Sequence, residues 1–207
     1  MKCNLTILFL FILTNLVVAQ ENEVGLIRKN FDSYKTLLYN GNGGEAANLV
    51  DSHTIKYYGD IIELVRNADS LKVESLSLWD KIMVLTVRQR VSKENILNFD
   101  GKALLIHAIN NGMIDKNSVL RFTIGDVTVD NNSAKGQLIF NGTGTPYFLN
   151  FYKENGQWKY DLTTSFPIFI PALQKLEKEL GERGFIDGML RAIPGNKLSQ
   201  NVWRPIR

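Results

Sequence analysis

From Val119 to Leu162 the chain runs through four stretches rich in alternating apolar and polar residues, RFTIGDVTVD, SAKGQLIFN, TPYFLNFYKE and QWKYDL. A period of two predicts β-strands. The stretches are parted at Asn131-Asn132, Gly142-Thr143-Gly144 and Asn155-Gly156, and Asn-Gly supplies the two positive φ angles that a tight hairpin turn needs. The pattern therefore predicts an antiparallel four-stranded meander. Phe122 and Ile124 share one face of the first strand while Val127 and Val129 share the other, so a bulge is expected at Gly125-Asp126. In the third strand Tyr147, Leu149 and Phe151 point one way and Phe148, Asn150 and Tyr152 the other. Both faces then carry rings, and each needs a cover.

Before the sheet the period changes to that of a helix. Val24, Ile27, Phe31, Tyr34 and Leu38 recur at spacings of three and four, and Gly41 to Gly44 ends the run. A short helical piece over 45–50 leads to Asp51-Ser52, followed by a helix whose face holds Ile55, Tyr58, Ile62 and Val65. A helix is expected over 76–91, a turn capped by Ser92, and a helix from Gly101 to Asn111 capped by Asp100 and closed by Gly112. After the sheet, Pro171 opens a helix striped with Leu173, Leu176 and Leu180. A second short helix carries Ile186, Met189, Leu190 and Ile193 and stops at Pro194-Gly195. The expected class is α+β: N-terminal helices packed on a curved antiparallel four-stranded meander, with a helical extension behind it. That extension, or a second copy in symmetric pairing, is expected to cover the outer sheet face.

The opening MKCNLTILFLFILTNLVVAQ orders a lysine, an apolar core and small residues as an export signal does, with cleavage expected after Ala19. Its apolar run is too short to span a bilayer, which needs about 20 residues, so no stable membrane anchor is expected. The implied location is secreted or periplasmic, and the implied layout is a signal over 1–19, one domain over 20–165 and an extension over 166–207. The single cysteine, Cys3, falls inside the signal, which removes disulfides and thiol chemistry from the remainder. Charge is balanced, with 24 Lys and Arg against 21 Asp and Glu, and gives no electrostatic footprint for nucleic acid.

GNGGEAANLV, FTIGDVTVDNNSAKGQLIF and FLNFYKENGQWKYDL, taken with the helices before them, resemble the nuclear transport factor 2-like superfamily, a cystatin-like α+β cone. The echoes are structural: Gly125-Asp126 followed by Ala134, and the hairpin over 153–159. The resemblance implies a cone with a ligand-lined interior and brings no catalytic residue with it. The superfamily holds isomerases, dehydratases, cyclases, transport adaptors and exported proteins without activity, and fold alone does not choose among them.

The candidate chemistry is sparse. Asp126 sits at the expected bulge, where side chains are often re-aimed, while Asn150, Tyr152 and Tyr160 are placed to line a cone. His107 and His53 offer an imidazole titrating near neutrality, but no carboxylate stands at a defined spacing from either. No metal-ligand pattern is present, and Gly41 to Gly44 lacks the strand and the Lys-Ser/Thr of a phosphate loop, so no cofactor is expected. Asn131-Asn132-Ser133 and Asn141-Gly142-Thr143 match the glycosylation sequon. The reading that follows is an exported non-catalytic protein that binds a small apolar molecule or a protein partner. Its alternative is a small isomerase, dehydratase or cyclase using Asp126 or His107.

Overall fold

The computed structural model describes the backbone of residues 3–114, 116–192 and 201–206, and the side chains of these from residue 21 onward, Ser118 excepted. The side chains of the expected export signal, Ile193 and the stop at Pro194-Gly195 lie outside the described residues. The fold is α+β, with N-terminal helices, an open antiparallel four-stranded sheet and C-terminal helices. Two compact units divide the chain, residues 1–51 with 114–164 and residues 52–113 with 165–207. One division falls between Thr164 and Ser165. The other, after Asp51, joins the central helices to the segment that follows the sheet. No helix among the described residues is long and apolar enough to cross a membrane.

The first unit holds α1 (Cys3–Tyr39), α2 (Gly43–Ala46), α8 (Lys116–Leu120) and strands β1 (Phe122–Asp130), β2 (Ser133–Phe140), β3 (Thr143–Glu154) and β4 (Gln157–Asp161), paired in the order β1-β2-β3-β4. The turn between β2 and β3 is Asn141-Gly142, with φ of 49° and 76°, and not the expected Gly142-Thr143-Gly144. Asn155 and Gly156 repeat it at 51° and 77°. In both, two adjacent positive φ angles let the strands turn with their native twist. The β1–β2 register slips between Ile124 and Val127, placing the bulge at Gly125-Asp126 as expected. A second irregularity lies between Gln137 and Ile139, opposite the part of β3 that contains Pro146. Proline cannot donate to a ladder, and such breaks are where strands admit it.

Helix α1 buries Ile27, Phe31, Tyr34 and Leu38 against the inner face of this sheet, where Ala134, Leu138, Leu149, Phe151, Trp158 and Tyr160 are also buried. Phe31 meets the Tyr160 ring edge-on at 5.2 Å and the Phe151 ring at 6.3 Å, while Tyr34 lies 5.4 Å from Tyr160. Such offset contacts exceed simple area burial by about 0.5–1.5 kcal/mol each. Polar bonds fix the angle of approach. The Asn30 amide donates to the Trp158 carbonyl at 2.9 Å, and the Lys35 ammonium to that of Phe122 at 3.0 Å.

The second unit holds α3 (Ser52–Asn67), α4 (Ser70–Glu74), α5 (Leu78–Arg90), α6 (Lys93–Asn98), α7 (Gly101–Asn110), α9 (Ile170–Leu180) and α10 (Glu182–Arg191). Side chains start four of these as their chemistry dictates: Asp69, Ser77, Ser92 and Asp100 each accept a hydrogen bond from the backbone three residues on. The α9 stripe departs from expectation, because none of its residues is buried and Leu180 is 61% exposed. Gly181, at φ 73°, turns the chain after it, and burial passes to Phe185, Ile186 and Leu190 of α10, which packs on α5.

Candidate functional site

The bulge in β1 carries Asp126, and its geometry is set from α1. Arg28 donates from its guanidinium to the carbonyls of Ile124 and Gly125, the two acceptors that flank the slipped register. Gly125 fits closely there, since a Cβ would lie 3.0 Å from Ile139 Cδ1 and 3.2 Å from the Gln137 amide oxygen and would make those side-chain ends shift. Asp126 itself is exposed. The bulge thus closes an edge strand by giving its loose carbonyls to a cation, and it does not aim the Asp126 carboxylate into an enclosed space.

The remaining sequence candidates also separate. Asn150 pairs with Asp161 across β3–β4, whereas Phe151 pairs with Tyr160, so Asn150 and Tyr160 lie on opposite faces of the sheet. Tyr160 belongs to the aromatic core under α1. Tyr152 and Phe148 share the outer face with Asn150, and they are 37% and 51% exposed. The Asn150 side chain is half-buried, and its backbone N–H donates to the Thr164 hydroxyl at 3.1 Å. His107 belongs to the helical unit. Its ring lies 5.2 Å from that of Phe99, and Asn111 Nδ2 stands 3.3 Å from its Nδ1. Burial, and secondarily the nearby Arg90 charge, hold its pKa below the usual histidine range. His53 is exposed in the first turn of α3. A lining formed jointly by Asp126, Asn150, Tyr152, Tyr160 and His107 is therefore corrected: strand alternation divides the tyrosines between two faces, α1 fills the inner one, and His107 belongs to the helical unit.

Two charged groups that the sequence did not single out are placed by the backbone. Leu49 to Asp51 run beside β4, with a parallel bridge from Val50 to Tyr160, the Tyr160 N–H donating to Leu49 at 2.9 Å and the Asp51 N–H to Tyr160 at 3.0 Å. This brings a carboxylate oxygen of Asp51 within 4.8 Å of one of Asp161, and both residues are buried. Two carboxylates at that separation, when both are ionised, repel by on the order of 3 kcal/mol at an effective dielectric near 20. Donors compensate part of this: Asp161 accepts from the Thr163 N–H at 3.0 Å and from its hydroxyl at 2.6 Å. Asp51 reads in sequence as a helix cap, and nothing in the sequence signals its pairing with a strand so distant along the chain.

Glu23 completes the polar frame of the first unit. Its carboxylate accepts from Lys153 Nζ at 2.8 and 2.9 Å and from the Trp158 indole N–H. These bonds, the Lys153 one foremost, hold its pKa below the usual glutamate value against the opposing effect of burial. Comparison with protein-family models, curated proteins and solved structures finds no match.

Proposed function

We propose that the chain is an exported, non-catalytic binding protein, similar in fold to the nuclear transport factor 2-like superfamily, and that it engages a protein partner through the outer face of its sheet. The single observation that carries this is the exposure of Phe148 and Tyr152, at 51% and 37%, on the face opposite α1. Rings left open beside a polar amide, Asn150, supply the aromatic residues enriched at interface centres, and Lys135 opposite Asn150 and Lys159 opposite Tyr152 give the same face two cations. A small apolar molecule held inside the sheet is the weaker form of the proposal, because Phe31, Tyr34, Phe151 and Tyr160 already fill the inner face. Export rests on the order of charged, apolar and small residues over 1–19.

A Phe148→Ser/Tyr152→Ser variant, expressed with its export signal and affinity-purified beside the parent, tests the reading. The parent is expected to retain a stoichiometric partner that the variant loses while keeping the parent's melting temperature. Equal retention by both proteins would refute the role of this face. The alternative, a small isomerase, dehydratase or cyclase, finds its nearest geometric foothold in the buried pair Asp51 and Asp161 and not in Asp126 or His107.

A further inference from the structure

Arg88 of α5 is a buried cation, 6% exposed, whose guanidinium reaches carbonyls from two distant parts of the helical unit. It donates to Val65 at 2.9 Å, Leu64 at 3.1 Å and Ala68 at 2.6 Å, at the C-terminal end of α3, and to Val202 at 3.1 Å. Leu64 still accepts the Ala68 N–H at 3.0 Å, but the last carbonyls of a helix beyond such a bond have no amide one turn further on, and they carry the negative end of its dipole. A guanidinium with its fork of donors suits that position. Burial pushes its pKa down to about 10, and it remains charged at neutral pH.

The chain beyond the helices supplies a second donor to the same place. The Ile206 N–H donates to the Arg66 carbonyl at 3.1 Å, so Arg66 receives from residue 206 what a further helical turn would have given. Val202 is buried, and the Trp203 ring lies 4.5 Å from the guanidinium carbon of Arg183. Arg183 in turn faces Glu74 at 3.4 Å. Residues 201–206 are thus fixed at a carbonyl, an apolar side chain, an aromatic ring and an amide, and two of these four contacts converge on the end of α3.

We infer that residues 201–206 form a strap that closes the C-terminal end of α3 together with Arg88, so that displacing the strap loosens the helical unit from that end. Strap and cation act as one element: without the strap Arg88 loses the Val202 carbonyl, and without Arg88 the strap loses its most deeply placed contact. The device places control of a helix end in a segment distant from it in sequence, where a partner or a protease has access to exposed residues such as Arg204.

Hydrogen exchange on the full chain tests this. Ile206→Pro removes the N–H donor while leaving the buried side chains in place, and it should speed exchange of the amides over 64–68 by about tenfold, with those of β2 and β3 unchanged. Arg88→Met should do the same, and the double variant should exchange no more than about threefold faster than the faster single one, because coupled groups are not additive. Unchanged exchange in Ile206→Pro, or a double-variant effect equal to the product of the two single effects, would overturn the inference. Val202→Lys, which ejects the strap by charge, should reproduce the Ile206→Pro result, and exchange at the parent rate in this variant would overturn it as well.

Discussion

The indole N–H of Trp158, on β4, donates to the carboxylate of Glu23 on α1, and Lys153 from the neighbouring strand closes on the same carboxylate. One acidic side chain therefore joins the helix to both strands of the last hairpin. Trp158 is 4% exposed, so its ring contributes burial and its N–H is satisfied where it would otherwise be stranded. Trp158→Ala should cost about 3–5 kcal/mol, read as a shift in the denaturant midpoint. Glu23→Gln, which keeps an acceptor and removes the charge, should cost clearly less than that.

The same pair predicts a pH dependence. Glu23 has a folded pKa below its ordinary value of 4.5, so the folded form binds fewer protons than the unfolded one over that interval. Its contribution is fully present above pH 4.5 and is lost as the pH falls through the lowered value. The stability difference between the parent and Glu23→Gln, measured by denaturant titration, should be constant from pH 6 to pH 8 and shrink on acidification below 4.5.

Much of the fold was legible because period and turn chemistry agree. The hairpin at Asn155-Gly156, the bulge at Gly125-Asp126 and the caps at Ser92 and Asp100 each follow from local residue types. The turn at Asn141-Gly142 was placed one residue late, because Thr143 and Gly144 read as part of the break and instead open β3. Helix α5 has a blurred pattern because Lys81 and Arg88 lie on its buried stripe with Leu85, which hides a helical period behind two charges. The candidate site was less legible. Alternation tells which residues of a strand share a face but not which face a helix will take, so Tyr160 and Asn150 read as neighbours in one lining. Asp51 and Asp161 meet only through a long-range bridge, which leaves no local mark.

A contrast between two glycines tests the packing of α3 on α7. A Cβ on Gly101 would lie 2.2 Å from the Ile55 carbonyl oxygen and 2.5 Å from the Gly59 nitrogen, both backbone atoms that cannot swing aside. Gly101→Ala should therefore cost about 1–3 kcal/mol or more, the scale of overpacking a tight core. A Cβ on Gly59 itself would meet nothing within 4 Å. Gly59→Ala, in a helix interior, should raise stability by up to about 1 kcal/mol. Thermal melts of the two variants that shift in the same direction would contradict this packing.

His107 gives a second titration of the same sign, in a window nearer neutrality. Its folded pKa is depressed from 6.5, so the neutral ring is favoured in the fold and stability is lost as the pH falls from 6.5 through the lowered value. His107→Gln should flatten the stability profile of the full chain in that window. A profile unchanged by the substitution would show that the ring titrates alike in the folded and unfolded chain.

The claim that the outer sheet face is the working surface is tested most directly by site-specific photo-cross-linking. A photoreactive phenylalanine is placed at position 148, at 152, or at the exposed control Leu71 on α4, in the full chain expressed with its export signal. The account predicts one dominant protein adduct from positions 148 and 152 and none of that mass from 71. Adducts of equal yield from all three positions, or adducts from 71 alone, would contradict it.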